Sequence, residues 1–376
     1  MLIDRRTMLS GTAAAAALAA TPLRAASRPR PPAWYGQAIV IDGLGGIGDP
    51  YGGDEITRLG DRAWAEMLAT GVTMLRDTVF PVGNVADPWG EYQNGIADRR
   101  AFFAANPDRL LLVRSAADIL EAKSERKFGV LLGTQDTCMV GPELDRLAQL
   151  KKDGVMTVQL TYNNANLAGD GALEPRNAGL TKLGKATIER IEAEKLLLDL
   201  SHGGVRTMAE AAAFAKRPLV ISHSAARDVF DHPRNTHDTT IRAVADKGGV
   251  VGVYFMPFLR ADSKPIGADL IAHIEHVANV AGEDHVGIGT DNGVLPTVIN
   301  EKSIKENRIW AQKRMDAGIA APGEGLDVFP IIADYNSLDR YWRLANDLAK
   351  RGWSEARLVK LFGGNFLRVY KDAWGG

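Results

Sequence analysis

Cysteine is nearly absent: Cys138 stands alone in 376 residues. An internal disulfide and a thiolate metal cluster are therefore excluded. A charge excess is missing as well. The 45 Lys and Arg nearly balance the 46 Asp and Glu, for a formal net charge of −1, which leaves no electrostatic ground for a nucleic acid or an anionic membrane as partner. No apolar run approaches the ~20 residues of a stable membrane span. A GxGxxG fingerprint, a Walker loop and a GxSxG elbow are all lacking; Gly43, Gly45 and Gly46 do not have dinucleotide-binding spacing. What remains is 45% hydrophobic and 24% charged, the composition of a globular protein with a large core.

The N-terminus reads as an export signal. Arg5-Arg6-Thr7-Met8-Leu9 is a twin arginine followed by an apolar pair, then an alanine-rich stretch from Gly11 to Ala20 and small residues around Ala17–Ala26. Residues 1–26 are thus expected to be a twin-arginine signal peptide that delivers the protein to the periplasm. The Pro/Arg-rich residues 27–36 are expected to be a linker, and 37–376 a single domain.

Beyond the linker, eight short, nearly continuous apolar runs alternate with helical stretches. They are Gln37–Asp42, Val72–Asp77, Gly129–Gln135, Val155–Tyr162, Leu196–His202, Leu219–His223, Val250–Phe255 and His285–Asp291. Continuous apolar runs suit parallel strands buried on both faces. Eightfold strand–helix alternation predicts an α/β protein, a (β/α)8 TIM-type barrel. Helices are expected at Pro142–Lys152, Lys182–Glu194, Val205–Lys216 and Ala268–Ala281. The extra run Leu110–Val113 reads as an accessory excursion, and Pro296–Asp334 as a long insertion after the last strand.

In such a barrel the carboxyl ends of the strands face the active site. Those ends carry Asp42, Asp77, Gln135, Tyr162, His202, His223, Tyr254 and Asp291. Two imidazoles, His202 and His223, on adjacent strands plus the Asp291 carboxylate form a candidate three-ligand zinc site. Asp291 could also take a proton from water. Of the other histidines, His273 and His276 share a helix face and read as surface residues, and His285 falls at the start of a strand. Arg234, in the loop after the His223 strand, could clamp a carboxylate bidentately.

At these residues the chain resembles the membrane (renal-type) dipeptidase family of metallohydrolases. The similar stretches include Leu198-Asp199-Leu200-Ser201-His202, Ile221-Ser222-His223-Ser224, His232-Pro233-Arg234-Asn235, Gly287–Asp291 and Gly363-Gly364-Asn365-Phe366, and the similarity runs from about residue 37 to 372. The resemblance implies a two-zinc dipeptidase site. It places a His-x-Asp pair after the first strand, a bridging Glu after the third and a substrate-contacting His after the fourth. Here Leu44 and Gly46 replace the pair, Gln135 replaces the bridge and Tyr162 the histidine. Arg234 matches the residue that holds the substrate carboxylate. Two Zn²⁺ about 3.5 Å apart without an anionic bridge would repel strongly, so at most one Zn²⁺ is expected, on His202, His223 and Asp291.

The leading reading is an exported hydrolase of a small dipeptide-like or amide substrate bearing a carboxylate. Asp291 and Tyr162 are its catalytic residues, Tyr162 as oxyanion donor, and Arg234, Tyr162 and Asn163 contact the substrate. Asp136 and Asp49 are near enough in sequence to serve as substitute ligands. Two alternatives use the same pocket: a metal-free acid/base enzyme (isomerase or lyase), or a small-molecule binding protein without catalysis. A homodimer is compatible with all three.

Overall fold

The computed structural model describes residues 30–52 and 57–375. The signal segment therefore lies outside the described residues. Eight parallel strands follow one another in sequence order: β1 (Ile41–Asp42), β2 (Met74–Thr78), β3 (Phe128–Thr134), β4 (Val155–Gln159), β5 (Leu197–Asp199), β6 (Val220–Ser224), β7 (Val250–Val253) and β8 (Val286–Ile288). Each lies within or beside one of the predicted runs. A hydrogen bond from Gly43 N to the Ile288 carbonyl, 2.8 Å, brings β8 back to β1. The result is the (β/α)8 barrel. The run Leu110–Val113 pairs with β3 from outside the circle, as expected of an accessory strand.

The ladders stop short of Gln135, Tyr162, His202 and Asp291, so these residues begin the loops on the carboxyl rim. Helices pack around the barrel: α1 (Asp61–Thr70), α2 (Pro88–Ala105), α3 (Ala116–Glu125), α4 (Arg146–Asp153), α5 (Lys182–Ala193), α6 (Val205–Phe214), α7 (Asp238–Asp246) and α8 (Gly267–Ala281). Their starts are legible in local chemistry. Ser115 and Asp118 form a reciprocal capping box on α3, and Thr181 caps α5 by accepting from Gly184 N. The insertion after β8 contributes α9 (Glu301–Asp316), and the chain ends with α10 (Arg340–Lys350), α11 (Glu355–Val359) and α12 (Asn365–Trp374).

The α12 residues Phe366, Tyr370 and Trp374 stack on one another, with ring centroids 5.8 and 4.6 Å apart. They pack with Ile41, Met74, Leu131, Met156, Leu197, Val220 and Val250 in one apolar cluster. Hydrogen bonds from Asn365 Nδ2 to the Val286 carbonyl and from Trp374 Nε1 to the Met156 carbonyl put this plug at the amino ends of the strands. Function is thereby left to the opposite rim.

Two expectations need correction. Tyr35 is 2% exposed and donates to the Thr70 carbonyl, and Trp34 packs its ring near Phe362. Tyr35, at the end of the expected linker, is therefore part of the core and Trp34 is half-buried beside it, while Pro31, Ala33 and Gly36 stay exposed; two large aromatics gain more by burial than a linker gains by freedom. His273 is not a surface residue. It is fully buried, accepts from Ala226 N at 3.2 Å and contacts the Leu259 carbonyl at 3.1 Å. Among the described residues, no helix is long and apolar enough to cross a membrane.

Candidate active site at the carboxyl rim

Two rim residues adopt left-handed backbone conformations that side chains other than glycine rarely take: His202 with φ 64° and Asp291 with φ 58°. Surrounding contacts hold both in place. Asp291 N donates to the Leu44 carbonyl at 2.8 Å. Gly289 lets β8 approach β6 so closely that a Cβ there would sit 1.9 Å from the Ser222 carbonyl oxygen. Asp42, at the end of β1, accepts from Thr290 N, Thr290 Oγ1 and Tyr341 Oη at 2.6–2.7 Å. Its carboxylate ties β1 to the loop after β8 and has no acceptor capacity to spare for a ligand; burial pushes its pKa up to about 6.

Hydrogen bonding assigns both histidine tautomers. Asn163 Nδ2 donates to the Ile319 carbonyl at 2.7 Å, so Asn163 Oδ1 faces His202 Nδ1, 2.6 Å away, and accepts its proton. His202 Nε2 then carries a lone pair, and it is buried without a hydrogen-bond partner. The Tyr162 ring stacks on this imidazole, with centroids 4.1 Å apart. His223 is different because both of its nitrogens are engaged. Ser222 Oγ donates to Asp199 Oδ2 at 2.6 Å and so accepts from His223 Nδ1 at 2.8 Å. Arg76, fully buried inside the barrel, in turn holds Asp199 and Ser222. On the other side, Gln135 Oε1 accepts from Thr78 Oγ1 at 3.0 Å, which turns the Gln135 amide nitrogen toward His223 Nε2, 3.2 Å away. Burial, then the nearby Arg234 cation, holds both imidazoles well below the ordinary histidine pKa. Both are neutral.

Arg234 sits among these groups. It is 3% exposed, its guanidinium lies 5.9 Å from the centroid of the Tyr254 ring, and Nη2 is buried with no hydrogen-bond partner. Its charge acts on His202, His223, Asp291 and Tyr254 together. Asp291 is half-buried. Desolvation pushes its pKa up to about 7, against the opposing pull of Arg234 and Arg314. Folding therefore disfavours the carboxylate: stability is fullest below the unfolded pKa near 4 and declines as pH rises towards 7. Asp291→Asn should consequently gain on the wild type by roughly 2–3 kcal/mol between pH 5 and 8. Thermal melts at the two pH values test this; parallel curves would contradict a shifted Asp291.

His202 and His223 come together, with ring centroids 4.9 Å apart. Among the described residues, no group of three or more His, Cys, Asp or Glu is placed to hold a metal ion. The local reason is that the Gln135 amide occupies the His223 nitrogen a metal would need, while Leu44 and Gly46 offer no donor. The substitute ligands are also committed. Asp136 accepts from Gly83 N, Thr137 N, Cys138 N and Asn166 Nδ2, and Asp49 from Tyr51 N and Gly60 N. Asn163, expected to contact substrate, is fully buried with its amide divided between His202 and Ile319. It orients the imidazole instead. Beside the site, a cavity of about 450 Å³ opens between Gly46, Asp49, Gly293 and Ser303.

Sequence reasoning missed Arg314 of α9. Its Nη1 donates to Tyr162 Oη at 2.9 Å, and no motif marks it, since the insertion resembles nothing catalytic by composition.

The comparisons with known proteins agree with this geometry at the level of family. A family model described as membrane dipeptidase (peptidase family M19) matches residues 88–305. An uncharacterized protein of the pqqA 5′ region of Klebsiella pneumoniae is 30% identical over 300 residues, covering 77% of this chain and 98% of its own. The dipeptidase verJ of Clonostachys rogersoniana is 26% identical over 265 residues; the match takes in 70% of this chain but 60% of that longer protein. Among solved structures, an amidohydrolase from Pseudomonas aeruginosa superposes with a TM-score of 0.77 at 30% identity, covering 91% of this chain and 98% of the other.

Proposed function

The chain belongs to the membrane dipeptidase family and is a dipeptidase-like hydrolase, and from that premise we propose that it hydrolyses a small dipeptide-like amide whose carboxylate binds Arg234, using at most one metal ion. One observation carries this reading: His202 Nε2 and Arg234 Nη2 are both buried without a hydrogen-bond partner. Leaving two such atoms unsatisfied costs about 1–3 kcal/mol each, a cost that a bound ligand would remove. A carboxylate suits the guanidinium, and a water or amide N–H suits the imidazole lone pair.

The residues present do not fit a two-zinc group. A primary amide stands where the bridge would be, with its nitrogen on His223 Nε2, and the first-strand ligands are replaced by leucine and glycine. The chain's own groups can carry the following steps. Arg234 holds the substrate carboxylate. His202 Nε2, with its tautomer set by Asn163, takes a proton from the attacking water. The Tyr162 hydroxyl faces the oxygen on which negative charge develops. Asp291, protonated below about pH 7, returns a proton to the departing amine.

The same base and acid would serve proton transfer at carbon, the isomerase or lyase reading of this pocket. Residues 1–26 support export by the twin-arginine route, and we place the mature protein in the periplasm. Metal analysis by mass spectrometry of protein exported in zinc-supplemented medium, together with turnover of a dipeptide panel, tests the reading. No more than one equivalent, and measurable turnover that falls in His202→Ala, are expected. Two equivalents would refute the metal count, and a panel left intact would sink the dipeptidase reading.

A further inference from the structure

We propose that Arg314, brought to the barrel mouth by α9, is a positioning residue for the reaction and acts through Tyr162. This rests on the reading of Tyr162 as a hydrogen-bond donor to the substrate. The insertion touches the site at three points. Asn163 Nδ2 donates to the Ile319 carbonyl at 2.7 Å, His232 Nε2 donates to the Pro322 carbonyl at 2.8 Å, and Arg314 Nη1 donates to Tyr162 Oη at 2.9 Å. The first of these bonds sets the His202 tautomer. The second anchors the loop that carries Arg234, because His232 Nδ1 accepts from Arg234 N at 3.1 Å.

Arg314 is itself tightly held. Its Nε and Nη2 pair with the two carboxylate oxygens of Glu324 at 2.5 and 2.8 Å, and Glu324 Oε1 also accepts from Ala321 N at 3.1 Å. The two side chains are 13% and 5% exposed, so this pair is not a surface ion pair of negligible worth. The planar fork engages Glu324 on one edge, leaving Nη1 to point at Tyr162.

A guanidinium donates and cannot accept. Tyr162 Oη is therefore the acceptor in this bond, and its own proton is turned away from Arg314. The tyrosine ring lies against His202, so the freed proton can be presented to a ligand seated beside His202 Nε2. The two arginines thus divide their work. Glu324 balances the charge of Arg314, which keeps it from competing for the substrate carboxylate; Arg234 keeps an unpartnered donor for that purpose.

The test combines a readout that needs no substrate with one that does. Full-length protein labelled with ¹³C at the tyrosine ζ position gives a Tyr162 resonance, assigned by its loss in Tyr162→Phe. In Arg314→Met this resonance is expected to shift while the other tyrosine signals hold. On whichever panel dipeptide the wild type cleaves, Arg314→Met should lower kcat at least about 10-fold with KM changed less than about 3-fold. Loss of the tyrosine donor itself should cost ~10²–10³-fold. Arg314→Lys should recover part of the rate, and Arg314→Met should add little in the Tyr162→Phe background. An unmoved Tyr162 resonance in a folded Arg314→Met protein overturns the proposal even if no dipeptide is cleaved. So does an equal kcat loss with and without the tyrosine hydroxyl. Should Arg314→Met fail to fold, Glu324→Gln loosens the same guanidinium and is expected to shift the same resonance; no shift there overturns the proposal equally.

Discussion

Arg234→Met is expected to lower kcat/KM for a dipeptide by ~10²–10³-fold without lowering the melting temperature. Both halves follow from one buried, unpartnered guanidinium nitrogen. In the free protein Arg234 Nη2 has no hydrogen-bond partner, so a methionine of similar length removes a poorly compensated charge and breaks no side-chain hydrogen bond. The backbone contacts of Arg234, with His232 Nδ1 and Ser224 Oγ, stay in place. Losing an uncompensated buried charge is neutral or stabilising. In the complex, the charge-assisted pair with the substrate carboxylate would be lost, at a cost of about 3–4 kcal/mol, which matches the stated factor. The effect should fall mainly on KM, since the carboxylate is held alike in ground and transition states. A dipeptide and its C-terminal amide make the decisive pair of substrates. The wild type should strongly prefer the free acid and Arg234→Met should not; a variant that keeps the preference would show that the carboxylate binds elsewhere.

The second large effect is a gain of metal. Introducing Leu44→His, Gly46→Asp and Gln135→Glu together should give a protein that requires zinc for full stability. Position 46 admits a side chain: a Cβ there meets its nearest neighbour, Gly293 Cα, at 3.9 Å. Leu44 is 2% exposed and its carbonyl accepts from Asp291 N, so an imidazole there would start beside the existing carboxylate. Gln135→Glu is the step with the strongest consequence. It replaces the amide donor on His223 Nε2 with an anionic acceptor, and two acceptors about 3 Å apart need either a proton or a metal ion between them. Without metal the triple variant should melt well below the wild type near pH 8. With zinc at about a thousand times its dissociation constant, it should regain about 4 kcal/mol. Calorimetry with and without zinc decides the matter: a triple variant indifferent to the ion would mean that the loss of the family's metal site extends beyond these three positions.

Much of this site was legible before any coordinate, and particular residues show why. Strands buried on both faces must be apolar throughout, so Val250–Phe255 and Gly129–Gln135 announce themselves as staves, and the rim residues follow by reading to the end of each run. His202, His223 and Arg234 lie in Ser-His and His-Pro-Arg-Asn stretches whose local pattern survives without the fold. Convergence of His202, His223 and Asp291 on one ion is not legible in this way, because it depends on which way each side chain turns. The Gln135 amide turns toward His223 only because Thr78, on another strand, takes its oxygen. Asn163 serves His202 and not a substrate only because Ile319, 156 residues later, claims its nitrogen.

By itself, then, the sequence determined the barrel, the order of its staves, the rim on which chemistry sits and the missing zinc donors at positions 44, 46 and 135. The barrel, its order and its rim follow from residue type and from period, which are local properties; the missing donors follow from the resemblance to the family's motifs. Tertiary structure alone decided the tautomers of the two imidazoles, the unpartnered state of Arg234, the upward shift of Asp291 and the arrival of Arg314 at Tyr162. Each depends on contacts between segments far apart in the chain and on how completely water is excluded from the rim, and neither is written in any single stretch of residues.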